Sequence, residues 1–322
     1  MGRRGRSWFK WAQAAGLEVV GVVDINRNCL DEACDDLEIP RLMRFQSIGD
    51  AVKATRAKVA TVCAANPDHL ACLLQCLDAG VNVIIEKPMV ETLKDANTIL
   101  EKTKETGLKI AVAQNYRYST EMLAMRKALQ EGEIGKVVSV NVTFHRWRPT
   151  EGLFLPLLMN QAIHHFDGLR WVLDADPEWC FARSFNPDWN TCDGPTVVEA
   201  VYGFSNGVLA TYSGSYVSQG INTSYSGLWR IEGSTGQLSF AGSDKDNPVL
   251  LSRRDPESQE EIPQPGSELD APAQVCKAFL DALEGETLPP TDSTDNIKSL
   301  AMCWAADLSS REDRLVKIEE LI

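Results

Sequence analysis

The stretch Val81-Asn82-Val83-Ile84-Ile85-Glu86-Lys87-Pro88 constrains this chain more than any other. Four of its first five residues are apolar and β-branched, the pattern of a strand buried on both faces. Gly80 precedes it, where a helix ending in a left-handed residue is expected. The apolar run then stops in an acid, a base and a proline. In an open parallel sheet, ligands bind beyond the carboxyl ends of the strands, so a Lys at that point is more than a solvated surface charge.

The chain has 322 residues, enough for two domains with sizeable cores. A net charge of −13 argues against a nucleic-acid or anionic-membrane partner. No run approaches the roughly 18 apolar residues of a membrane span. The nine cysteines include no C-x-x-C pair, and Cys63, Cys72 and Cys76 fall on an expected strand and helix. They read as reduced, buried thiols in a cytoplasm, with neither a disulfide frame nor a metal site. Arg3-Arg4-Gly5-Arg6 superficially resembles a twin-arginine export signal. Glu18 and Asp24 interrupt the apolar region such a signal needs.

In chain order, a helix is expected over Ser7 to Ala15, then a strand from Leu17 to Asp24. The dinucleotide fingerprint is strand, G-x-G-x-x-G, helix, strand, acid. Gly2 and Gly5 fit its second and third glycines, and Asp24 lies 19 residues after Gly5. The first glycine and the strand before it have no counterpart in the sequence. Five buried apolar side chains at about 1.5–3 kcal/mol each would contribute roughly 8–15 kcal/mol, as much as the whole stability of a typical domain. The expectation is that Met1 is internal to a native chain that starts roughly ten residues upstream. Asp24 suits a ribose hydroxyl and hence NAD over NADP; its alternative role is to cap the helix from Asn26 to Leu37.

Further strands are expected at Ala57–Ala65 and Leu108–Ala113. Asp68 is expected to cap a helix over His69–Ala79, and Thr92-x-x-Asp95 to open a helix ending at Gly107. Strand and helix alternate, so the first part reads as a Rossmann-like parallel α/β domain with its first strand missing. The pattern then changes. Val137–Phe144 alternates with period two, and Asn160–Leu173 returns to helical periodicity. Ser205-Asn206-Gly207 and Gly233-Ser234-Thr235-Gly236 mark hairpins. Residues 243–270 read as a polar surface loop with a short strand at Val249–Leu251, followed by helices over Pro272–Leu283 and Asn296–Ser309. The expected division is residues 1–117 for dinucleotide binding and 118–322 for an α+β domain with an open, mainly antiparallel sheet.

Several spaced features together resemble the Gfo/Idh/MocA oxidoreductase family. They are Asp24, Asn66-Pro67-x-His69, Ala79-Gly80-x-x-Val83-x-x-Glu86-Lys87-Pro88 and Asn115-Tyr116-Arg117-Tyr118. Gly132-x-Ile134-Gly135, Asn160-x-x-x-His164-x-x-Asp167 and Glu232-Gly233-x-x-Gly236 follow in order. The resemblance implies a nicotinamide cofactor, a sugar or cyclitol substrate, and a homo-oligomer formed through the C-terminal sheet. It implies cofactor contacts at Gly2, Arg3, Gly5, Asp24, Asn66, Pro67, His69, Glu86, Lys87 and Asn115. Lys87, Arg117, Asn160 and His164 are implied on the substrate, with Lys87 and His164 catalytic and no metal involved. Many relatives carry Asp where this chain has Asn160 and Gly where it has Ala162.

Removing a hydride from a carbinol requires its hydroxyl proton to be taken and the developing oxyanion to be stabilised. A cationic ring about 5 Å from Lys87 at an effective dielectric of ~20 costs roughly 3 kcal/mol, about two pKa units from ~10.4. Lys87 then stays mostly protonated at neutral pH, so His164 is expected as the base and Lys87 as the electrostatic group. His69 and His165 read as structural. Tyr116, His145, Trp147 and Arg148 are further candidates for the substrate pocket. Two other functions fit the resemblance: a glycosidase acting by transient oxidation with tightly held NAD, and a non-catalytic cofactor-sensing relative.

Overall fold

The computed structural model describes residues 1–148, 156–190, 192, 194–241 and 248–322. The chain begins with helix α1 (Arg3–Ala14), β1 (Val22–Val23), α2 (Arg27–Asp36), β2 (Arg44–Phe45) and α3 (Ile48–Thr55). Next come β3 (Val59–Val62), α4 (His69–Asp78), β4 (Asn82–Ile85), α5 (Leu93–Thr106) and β5 (Ile110–Val112). Then follow α6 (Thr120–Gln130), β6 (Val137–His145), α7 (Ile163–Leu173), β7 (Pro177–Phe185), β8 (Val197–Phe204) and β9 (Leu209–Ser215). β10 (Leu228–Gly233), β11 (Gln237–Phe240), β12 (Val249–Arg254), β13 (Glu257–Ile262), α8 (Ala271–Glu284), α9 (Ser293–Glu312) and β14 (Val316–Lys317) complete it.

The chain forms two compact units. The first comprises Met1–Asn115 with Glu268–Ile297, and the second Tyr116–Ser267 with Lys298–Ile322. A single cut at residue 117 therefore overlooks a return crossing. The cause is visible in the packing. Helix α8 lies against α1, the Thr291 carbonyl accepts from Val112 N at 2.9 Å, and Asp292 bridges Ala111. These contacts cover an edge of β5 that the residues before 117 leave open.

In the first unit β3, β4 and β5 pair in parallel, with Val59 opposite Asn82 and Val83 opposite Ile110. Val81, Val83, Ile84 and Ile85 are buried, as a two-sided apolar strand requires. Among the described strands β1 pairs only with β2, Val22 opposite Arg44, in a separate two-stranded parallel sheet. The expected strand from Leu17 to Asp24 is thereby reduced to Val22–Val23. One short neighbour supplies a ladder for only those two residues. Local chemistry sets the helix ends. Thr92 accepts from Asp95 N at 3.1 Å and donates to the Asp95 carboxylate at 2.7 Å. Gly80 after α4 and Gly107 after α5 take the left-handed conformation that glycine adopts without strain. Asp68 does not cap α4, because it sits inside the short 3₁₀ turn Asn66–Asp68 and its side chain bonds no helix amide.

The second unit is built on one nine-stranded sheet, ordered β13-β12-β11-β10-β6-β9-β8-β7-β14. Every pair is antiparallel except β6 with β9. The hairpin of β12 and β13 takes up half of the loop expected over 243–270, of which 243–247 lie outside the described residues. β13 reads Glu-Ser-Gln-Glu-Glu-Ile and is exposed on an outer edge. Such a strand lacks the apolar alternation that sequence patterns detect. Gly233 allows the approach of β10 to the turn before β6: a Cβ there would lie 2.1 Å from the Ile134 carbonyl.

Helix α7 is almost wholly buried. The turn before it, Leu158–Ala162, is widened to i→i+5 bonding, so the regular-helix argument that aligns Asn160 with His164 does not apply unaltered. Two buried polar groups fix this helix. Arg117 donates to Asp167 through Nε at 2.6 Å and through a terminal nitrogen at 2.7 Å. Ser299 Oγ also donates to Asp167, at 2.8 Å, and accepts from Arg170 at 2.9 Å. His165 is fully buried, with Nδ1 3.1 Å from Tyr212 Oη and Nε2 3.0 Å from the Tyr225 carbonyl. That pairing fits a neutral ring protonated on Nε2. Burial pushes the His165 pKa down to about 4, against a smaller opposing contribution from the Tyr225 carbonyl.

Two outcomes follow for stability. Arg117→Leu leaves a buried carboxylate without its guanidinium and is expected to cost about 3–5 kcal/mol in denaturant unfolding. Arg117→Leu combined with Asp167→Leu should recover much of that loss; a double variant as unstable as the single one contradicts the paired-charge account. The folded pKa of His165 lies below its ordinary value of 6.5. The unfolded chain therefore binds the extra proton first, and stability falls as pH drops from about 6.5 to about 4, by roughly 3 kcal/mol. His165→Gln should flatten that part of a stability-against-pH curve, and an unchanged slope refutes the assignment.

Candidate functional site

In the first unit the carboxyl end of β4 carries Glu86, Lys87 and Pro88, and its surroundings hold it in place. Trp8, a buried residue of α1, donates its indole N–H to Glu86 Oε1 at 2.8 Å. Glu86 Oε2 accepts from the backbone N–H of Lys87 at 3.2 Å, and Arg4 Nε lies 3.6 Å from Oε1. His69 is fully buried, with Nδ1 2.8 Å from the Pro88 carbonyl and Nε2 3.2 Å from the Ala64 carbonyl. It braces the segments that follow β3 and β4. Asn66 and Pro67 form the 3₁₀ turn just beyond β3, and Asn115 begins the one beyond β5. Three neighbouring parallel strands thus end in expected site residues.

A dinucleotide needs an anion cradle and an acceptor for its ribose. Gly2 precedes α1 without a side-chain cap, and the first helical bond runs from Arg6 N to the Gly2 carbonyl at 3.1 Å. The amides of Arg3, Arg4 and Gly5 therefore lie in the first turn, where they have no intrahelical acceptor. No atom lies within 4 Å of a Cβ built on Gly2, so the backbone is open to a diphosphate there. Asp24 follows β1, and its Oδ1 accepts from Asn26 N at 2.8 Å. Asn26 itself caps α2, which excludes the alternative role for Asp24. The second Asp24 oxygen is engaged by the Met1 ammonium. The residues fit a dinucleotide at the phosphates, while the ribose acceptor is held by the chain's own amine.

In the second unit His164 follows the widened turn and lies face to face with Tyr116, ring centroids 4.3 Å apart and planes 10° from parallel. The Gln161 amide donates to Tyr116 Oη at 2.8 Å and to the Tyr225 carbonyl at 3.1 Å. The imidazole of His164 is thus set by an aromatic plane that is itself anchored. Arg117 is enclosed with Asp167 and Trp171, so its guanidinium acts as an internal strut here, not an open substrate contact. Asn160 is half-buried on the widened turn. Arg148 reaches Tyr216 Oη at 3.3 Å, and the Arg146 guanidinium lies 4.1 Å from the centre of the Tyr225 ring. His145 contacts Ser213 Oγ at 2.9 Å, and Trp147 is exposed.

Sequence patterns did not single out Trp8 or Gln161, and gave Tyr116 only a place among pocket candidates. Nothing in their spacing reports an indole bonded to a carboxylate 78 residues away, or a ring stacked on an imidazole. Among the described residues no three His, Cys, Asp or Glu side chains are grouped to hold a metal ion. No described helix is long and apolar enough to cross a membrane.

Residues 2–114 match the family described as an oxidoreductase family with an NAD-binding Rossmann fold. Residues 122–239 match the GFO/IDH/MocA C-terminal domain. Among curated proteins, the chain is 24% identical to D-apiose dehydrogenase of Paraburkholderia graminis, over 97% of this chain and 86% of that one. It is 23% identical to myo-inositol 2-dehydrogenase of Thermotoga maritima, over 94% of this chain and 91% of that one. In fold it is similar to an oxidoreductase of Agrobacterium radiobacter solved with NAD+, L-tartaric acid and magnesium. There the TM-score is 0.88 at 18% identity, covering 98% of this chain and 96% of the other. A strand end bearing Glu86-Lys87-Pro88 beside an open helix N-terminus, and a matched C-terminal domain, lead to one conclusion: the chain belongs to the Gfo/Idh/MocA oxidoreductase family.

Proposed function

We propose that this protein transfers a hydride between NAD and the secondary alcohol or ketone of a sugar, a sugar derivative or a cyclitol. The observation that carries this reading is the placement of Lys87. It stands at the carboxyl end of a buried parallel strand, next to a glutamate that Trp8 holds, in an NAD-binding fold. Relatives named for D-apiose and myo-inositol support a polyhydroxylated substrate. NAD, when bound, accepts or supplies the hydride.

Lys87 is assigned to stabilise the developing oxyanion with its ammonium group. His164 is assigned to take the hydroxyl proton in oxidation and return it in reduction. Tyr116 is a positioning residue, because it fixes the plane in which the imidazole nitrogens lie. Gly2, Arg3 and Gly5 offer backbone amides for the diphosphate, and Asp24 a carboxylate for the ribose. A reducing cytoplasm suits buried thiols such as Cys34, Cys76, Cys180 and Cys276, none of which is in a disulfide. The outward face of the large sheet carries exposed Phe181, Phe185 and Leu209, which supports self-association through that face.

Lys87→Met is expected to lower kcat on the order of 10²–10³-fold, read as reduced-cofactor formation across a panel of aldoses, D-apiose and inositols. Turnover near the parent value in that variant would remove Lys87 from the chemistry. Tyr116→Phe keeps the stacked ring and should leave the acidic limb of the kcat/KM-against-pH profile close to the parent. Tyr116→Leu should displace that limb and lower kcat by about tenfold or more. Identical profiles in all three proteins count against the positioning role.

A further inference from the structure

The row of side chains on the inner face of β6 changes character at its end. Val140, Val142 and Phe144 are buried, and Phe144 lies against His165 of α7, ring centroids 5.2 Å apart. His145, on the opposite face, contacts Ser213 of β9. Beyond β6 the backbone stays paired: Arg146 N donates to the Ser215 carbonyl at 2.8 Å, and Arg148 N to the Tyr216 carbonyl at 3.0 Å. Side chains two apart on an extended segment share a face. Arg146 and Arg148 therefore continue the row of Phe144, where the period calls for apolar residues. Their contacts agree. The Arg146 guanidinium lies 4.1 Å from the centre of Tyr225 and that of Arg148 5.3 Å from the centre of Tyr216. Phe144 neighbours both rings, at 6.5 and 5.8 Å. Arg146 also donates to the Thr223 carbonyl. Arg148 donates to Tyr216 Oη at 3.3 Å, and among the described residues no carboxylate pairs with it. Arg117, Arg126, Arg170, Arg183 and Arg253 of the same unit each meet one. Arg148 is half-buried, so its guanidinium gives up hydration without an anion in return.

We propose that Arg148, with Arg146 beside it, binds a carboxylate of the substrate, and that the substrate is a sugar acid, a polyhydroxylated monocarboxylate. The proposal deepens the hydride-transfer reading and rests on it for the position of the reacting carbon. A run of rings within the second unit links the two positions. Tyr216 adjoins Phe144, Phe144 adjoins His165, and His165 lies 6.0 Å from Tyr116, the ring on which His164 stacks. Burial raises the Tyr216 pKa, Arg148 opposes that rise, and Tyr116 is near enough to add to it. The guanidinium and the imidazole thus border one aromatic cluster from two sides. Charge and shape select the anion. A carboxylate is planar and singly charged, and it matches the donor fork of one guanidinium, of which the phenol uses one nitrogen. A phosphate monoester carries about 1.5 to 2 negative charges and calls for a second open fork, whereas Arg146 is committed to a carbonyl and a ring.

The test titrates D-glucuronate, D-galacturonate, D-glucose, D-galactose and D-glucose 6-phosphate into the full chain with NAD present. Affinity is read by calorimetry, and the same compounds are assayed separately for NADH formation. Each uronate should bind about tenfold to hundredfold more tightly than its neutral sugar. Arg148→Met should abolish that preference. Arg148→Lys keeps the charge and loses the fork, so it should retain only part of the preference, and it serves as the readout if the Met variant does not fold. Uronates bound no more tightly than the neutral sugars overturn the site, as does a preference left whole in both variants. Tighter binding of the phosphate than of either uronate overturns the carboxylate assignment. Uronate binding that depends on Arg148, with no NADH formed from any compound, upholds the anion site and counts against the hydride-transfer reading alone.

Discussion

The carboxyl end of β4 is held by groups that lie far from it in sequence. An indole from α1 bonds Glu86, and a buried imidazole from the start of α4 meets the Pro88 carbonyl. Both partners are buried, so these bonds are shielded from competing water. The result is a defined exit for the chain as it leaves the strand, with Lys87 between two fixed neighbours. The residues that follow β3 and β5 end at the same level of the sheet because the three strands pair in parallel register. A site assembled there inherits its precision from strand pairing.

Two adjacent histidines show how environment sets role. His165 is sealed among Phe144, Tyr212 and the Tyr225 carbonyl, and burial keeps it neutral. His164 instead presents a face to Tyr116, itself tied to Gln161. One ring is part of the core and the other is positioned against an anchored plane. The Arg117–Asp167–Ser299 network beneath them holds α7 without using either imidazole. The network that holds α7 and the imidazole stacked on Tyr116 therefore use different residues.

The parallel strands of the first unit fall into two groups, β1 with β2 and β3 with β4 and β5. β1 and β2 form a two-stranded sheet that packs through the cluster of Val22, Leu30, Cys34 and Ile39. The helix N-terminus and the acid that a dinucleotide needs are both present, and residues of β1 and β3 line one cavity. The Met1 amine meets the Asp24 carboxylate beside that cavity.

Much of this protein was legible in sequence because its signals are local or periodic. The apolar run at Val81–Ile85, the capping pair Thr92 and Asp95, Gly80 and Gly107, and the hairpin turns each report a short-range constraint, and each element formed. The family resemblance followed from residues spaced along those elements. The polar hairpin of β12 and β13 was not legible, since an exposed edge strand has no apolar period. The return of residues 268–297 to the first unit was hidden because an edge of β5 calls for a cover without specifying its source. Only the tertiary structure decided that Arg117 is an internal strut, that Tyr116 stacks on His164, and that Asp24 meets an ammonium. Sequence fixes which groups a chain carries and the local backbone they favour; which distant groups share a dry, close contact depends on packing that no short window contains.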